Sequence, residues 1–74
     1  MHARAAAAFV KVASQFEAEV SVKKETMSVN GKSILGVLML GAEMGQQIEI
    51  EATGDKAGEM IAQLKKLIAN HFET

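Results

Sequence analysis

Residues 19–30 read EVSVKKETMSVN, and the alternation inside them decides what kind of fold this chain can build. Val20 and Val22 fall on one side of an extended backbone, and Glu19, Ser21 and Lys23 fall on the other. A period of two is that of a strand with one buried face. Met27 and Val29 repeat the pattern, and the interruption at Lys24 and Glu25 is short enough for a tight turn. The stretch is therefore predicted to be a β-hairpin. Asn30-Gly31 marks a further turn just after it. A hairpin with one apolar face needs a second layer against that face, which the flanking sequence has to supply.

Upstream lies a run rich in alanine, the residue with the highest helix propensity. Ala6, Phe9, Val10, Ala13 and Phe16 recur at spacings of three and four, predicting a helix over residues 3–16. Downstream, SILGVLML at 33–40 is apolar enough to be a buried strand or a short helix. Its leucine content, Ser33 as a cap and the later Gly45 favour the helix. QIEIEAT at 47–53 alternates again, with Ile48, Ile50 and Ala52 inward and Gln47, Glu49 and Glu51 outward. Gly54-Asp55 ends it, and Asp55 is suited to cap the next helix. Met60, Ile61, Leu64, Leu67 and Ile68 trace that last helical stripe, reaching about residue 72. The order helix, strand, strand, short helix, strand, helix predicts an α+β open-faced sandwich. This is an antiparallel β-sheet with three helices on one face, formed by one domain spanning residues 1–74.

Composition narrows the partners. Of 74 residues, 49% are hydrophobic and 23% charged, and the net charge is −1. That balance is globular and carries no basic face for nucleic acid. Binding to an anionic membrane surface is disfavoured for the same reason. The apolar run at 34–40 is too short to span a bilayer, and the first residues carry no signal-peptide pattern. With no cysteine, thiolate metal sites and disulfides are excluded, which fits a reducing compartment. The expected location is cytoplasmic.

The candidate chemistry sits at helix starts. No metal-ligand spacing, Ser/His/Asp set or glycine-rich phosphate loop is present, so neither metal nor cofactor is expected. His71 falls near the end of the last helix, where a cation suits the helix dipole. His2 precedes the first helix, whose N–H groups and partial positive charge form an anion site. A neutral imidazole there can act as a nucleophile toward a phosphoryl group. Arg4 could add charge-assisted contacts to the phosphate oxygens. Ser33 reads as an N-cap, and also as a phosphoacceptor at a helix start. Ile34, Leu35, Val37, Leu38, Met39 and Leu40 cover nearly all sides of two turns, so part of that surface is expected to remain exposed as an interaction patch.

HAR-x-AA-x-FV from His2, succeeded some thirty residues on by NGKSILGVLML-G, resembles the histidine-containing phosphocarrier family, HPr, of the sugar phosphotransferase system. The resemblance runs through the whole chain from His2. It implies that His2 accepts a phosphoryl group from enzyme I, drawn from phosphoenolpyruvate, and passes it to enzyme IIA-type acceptors. It implies that Arg4 stabilises the phosphate, that Ser33 is a regulatory site for a serine kinase, and that Ile34, Leu35 and Leu38 bind partners. The implied protein is a bacterial relay rather than a turnover enzyme. The alternative is a regulatory docking module built on the short helix and Ser33, or a truncated fragment without transfer activity.

Two departures from the family pattern bear on this. Ala5 stands where the family usually has proline at the first helical turn; alanine is compatible with the helix and restores an N–H. The family also begins with an edge strand that pairs with the strand at 47–53, whereas this chain opens at the His motif. The sandwich is therefore expected to lack that first strand. The exposed edge at 47–53 should favour self-association or low stability, with Glu49 and Glu51 weakening a symmetric pairing.

Overall fold

The computed structural model describes residues 3–40 and 48–69. Among the described residues six elements occur in the expected order: α1 (Ala3–Ala13), β1 (Glu19–Lys24), β2 (Met27–Asn30), α2 (Ile34–Leu40), β3 (Glu49–Thr53) and α3 (Ala57–Ala69). The sheet is antiparallel with β1 in the middle, in the order β2-β1-β3. Val22 lies opposite Val29 on β2 and Ile50 on β3, and Val20 lies opposite Ala52. Directly opposed residues share a face, so these side chains form the apolar side on which the helices lie. Glu19, Glu49 and Glu51 are exposed on the other side.

The boundaries differ from the sequence reading in three places, each with a local cause. The hairpin turn is Glu25-Thr26, not Lys24-Glu25, because Lys24 pairs with Met27. α1 stops at Ala13: Ser14 N–H still reaches Val10 O, but Gln15 and Phe16 donate to Val12 O and Ala13 O, three residues back. That tightening into a 3₁₀ turn ends the regular helix while keeping Phe16 packed on the core. Before α3, Gly54 has φ 117° and Lys56 φ 60°. Met60 N–H bonds Lys56 O, so Lys56 occupies the cap position expected for Asp55. The expected continuation of α3 to residue 72 and Gln47 of the expected 47–53 strand lie outside the described residues.

Among the described residues Phe9, Met60, Leu64, Val22 and Val37 are the largest fully buried side chains. They come from α1, α3, β1 and α2, so one core joins the helix layer to the sheet. Among the described residues no polar or charged side chain is buried; chemistry carried by such groups lies at the surface. Gly31 is required where β2 leaves the sheet. A Cβ there would stand 2.8 Å from Val20 Cγ1 and 3.3 Å from Phe9 Cε1. The absence of a side chain lets the Asn30–Ser33 turn settle against the core and aim α2 across β2.

Candidate functional site

Two surface features carry the residues singled out from the sequence. The first is the start of α1. The helix opens at Ala3, the residue directly after His2, and His2 itself lies outside the described residues. Arg4, in the first turn, is exposed. Ala5 and Ala6 turn inward and are buried, as are Phe9 and Ala13 further along. This apolar stripe fixes the roll of α1 and leaves Arg4 in solvent. No acidic residue stands in the first turn, so no carboxylate of that turn offsets the partial positive charge of the helix start.

The second feature is the entry to α2. Asn30 Oδ1 accepts the Lys32 N–H at 2.9 Å, and Ser33 N–H reaches Asn30 O at 3.1 Å. This Asx-type turn places Ser33 at the N-cap. Its Oγ accepts the Gly36 N–H at 3.1 Å, and its carbonyl accepts the Val37 N–H at 2.9 Å. The Lys32 ammonium donates to the Phe16 carbonyl, tying the exit of α1 to the residue before Ser33. Such a contact satisfies a carbonyl beyond the helix end and suits the negative pole of α1.

From that cap α2 buries Val37 and Leu40 and turns Ile34 (46% exposed), Leu35 (69%) and Met39 (66%) outward. Leu38, grouped with Ile34 and Leu35 from the resemblance, is half-buried and packs against the core. Met39 was not among the partner-binding residues that the resemblance implies; it stands four residues after Leu35, on the same side of the helix. The exposed apolar face is thus Ile34, Leu35 and Met39. Among the described residues, no group of His, Cys, Asp and Glu could hold a metal ion, and no helix is long and apolar enough to cross a membrane.

Comparison with known proteins gives this geometry its context. The family model for the PTS HPr component phosphorylation site matches residues 1–70. The phosphocarrier protein HPr of Neisseria meningitidis is 46% identical over 72 residues, covering 97% of this chain and 81% of its own length. Among solved structures, an HPr dimer from Thermoanaerobacter tengcongensis aligns with a TM-score of 0.91 at 40% identity. That alignment covers all of this chain and 85% of that one. Crh of Bacillus subtilis, described as a dimer with an unexpected swapping domain, aligns at a TM-score of 0.90 and 30% identity, with the same coverage. With a family match across nearly its whole length and the same open-faced sandwich, this chain belongs to the HPr family of the phosphotransferase system.

Proposed function

We propose that this chain is a phosphoryl carrier of the phosphotransferase system, with His2 as acceptor. A lone pair on a neutral imidazole nitrogen attacks phosphorus. The N–P bond forms as the bond from phosphorus to the donor breaks, and that electron pair leaves with the donor. The observation that supports this reading is an eleven-residue helix opening directly after His2, with Arg4 exposed in its first turn. The helix start and guanidinium stabilise the incoming charge. Their surface position keeps that stabilisation modest, and onward transfer requires it to be so, since a carrier that held the phosphate too tightly would not release it.

Enzymes of the phosphotransferase system are the partners, with enzyme I as donor and enzyme IIA-type proteins as acceptors. The exposed face of α2, with Ile34 and Leu35, supplies the apolar docking surface, and Leu38 supports it from the core side. Ser33 is the regulatory site: a kinase that phosphorylates it adds negative charge at the edge of that surface. We place the protein in the cytoplasm as one domain over residues 1–74. Self-association through residues 47–53 is a weaker companion of this reading. Two relatives are described as dimers, but Glu49 and Glu51 act against symmetric pairing here.

The test is incubation with enzyme I and phosphoenolpyruvate, then intact-mass measurement of wild type and of His2→Ala. Gain of one acid-labile phosphate by the wild type alone is expected. A wild type that stays unmodified sinks the carrier role, and a His2→Ala variant that still accepts phosphate moves the acceptor elsewhere. The exposed α2 face also supports a second reading, a docking module without transfer; such a protein would keep partner binding and function in His2→Ala.

A further inference from the structure

The chain has no cysteine, so methionine supplies all of its sulfur, the side-chain atom that peroxides oxidise most readily. Three of its methionines fall among the described residues, each in a different setting. Met60 on α3 is fully buried in the core, Met27 at the start of β2 is 46% exposed, and Met39 on α2 is 66% exposed. Met39 also differs in its company. It stands one turn after Leu35 and shares the outward apolar face with Leu35 and Ile34, so its thioether is the oxidisable group on a surface otherwise built from aliphatic carbon. The seven residues of α2 are six apolar side chains and a glycine. None of those side chains can donate a hydrogen bond to a polar atom that appears on that face.

From this setting we infer that Met39 is an oxidative modification site, at which an oxidant of the peroxide class weakens docking on α2. The inference rests on the reading of the α2 face as the surface that enzyme I engages. A lone pair on the Met39 sulfur attacks one peroxide oxygen. The S–O bond forms as the O–O bond breaks, and sulfur gives up two electrons. The other peroxide oxygen takes the proton of the transferred one and leaves as water. The product, methionine sulfoxide, carries a strong acceptor oxygen where the partner expects an apolar surface. In the free chain water solvates that oxygen. Under a docked partner the water is expelled, and α2 offers no donor in its place, so the cost falls on binding and not on folding. The burial of Met60 keeps the core methionine out of reach, which confines the change to the surface. Methionine sulfoxide reductases reverse the product, so the site can be reset.

Treating the intact chain with hydrogen peroxide, then mapping its peptides by mass and titrating it calorimetrically with enzyme I, tests this. Met39 is expected to gain one oxygen before Met27 does, and Met60 to stay unmodified while circular dichroism shows the chain folded. Affinity for enzyme I should fall by about fivefold or more as Met39 sulfoxide accumulates, and a methionine sulfoxide reductase should restore it. Met39→Leu should show the same affinity before and after treatment, whereas Met27→Leu should remain as sensitive as wild type. Equal loss of affinity in treated wild type and treated Met39→Leu overturns the proposal. So does undiminished affinity with Met39 fully oxidised. An untreated chain that enzyme I does not bind overturns the docking reading itself, and this proposal with it.

Discussion

At the scale of single residues, the two glycines around Ser33 answer to different constraints. Gly31 has no room: its absent Cβ would lie 2.8 Å from Val20 Cγ1. Gly31→Ala is expected to lose about 1–3 kcal/mol through overpacking. At Gly36 the same added atom would meet Ser33 and Val29 at 3.4 Å, an ordinary contact. Gly36→Ala should therefore gain about 0.5–1 kcal/mol of helix propensity. Urea melts of the two variants check both, and a shared direction of change would contradict the packing derived for the turn. Ser33 separates structure from regulation in a similar way. Aspartate is as good a cap as serine, so Ser33→Asp should leave the melting temperature within a few degrees of wild type. Its added charge beside Ile34 and Leu35 should weaken binding to enzyme I several-fold. Calorimetry giving equal affinities would leave Ser33 as a cap and nothing more.

At the scale of elements, the hairpin shows what alternation conveys and what it leaves open. The apolar positions Val20, Val22 and Val29 were legible because a half-buried strand has a strict period of two. The turn was misplaced by one residue because Lys24 is polar yet lies on the helix side opposite Met27; at a sheet's end, polarity no longer reports the face. Glu25, the first turn residue, has φ 55°, the conformation that type II′ hairpins reserve for glycine. Glu25→Gly is therefore expected to raise stability by roughly 0.5–1 kcal/mol, read as a higher urea midpoint with an unchanged slope. No gain would mean that the glutamate side chain compensates the strain. α2 was harder to read. Six of its seven residues are apolar, so the sequence has no polar stripe to mark the outside. Only packing against α1 and the sheet shows that Met39 is exposed and Leu38 half-buried. Ser33 was legible because a cap needs only its own chain neighbours, whereas the tie from Lys32 to Phe16 spans sixteen positions and has no local signature.

At the scale of the molecule, one small core carries all three helices, and the candidate site depends on it indirectly. A domain of this length has a total stability of roughly 4–11 kcal/mol. Phe9 is fully buried and near the Cβ direction of Gly31, so it holds α1 against the turn that launches α2. Phe9→Ala removes about 3–5 kcal/mol, a large share of that margin, and should lower Tm by more than ~10 °C. Phe9→Leu, closer in volume, should cost about 1.5 kcal/mol or less. If the start of α1 matters for accepting phosphate only while the helix is docked, acceptance by the two variants should track their folded fractions. At a temperature where Phe9→Leu is folded and Phe9→Ala is half-unfolded, the first should accept phosphate at close to the wild-type rate and the second at about half. Circular dichroism and phosphorylation rates taken on the same samples decide it. A Phe9→Ala chain that accepts phosphate at the full rate when half-unfolded would show that His2 and Arg4 work without the folded helix start.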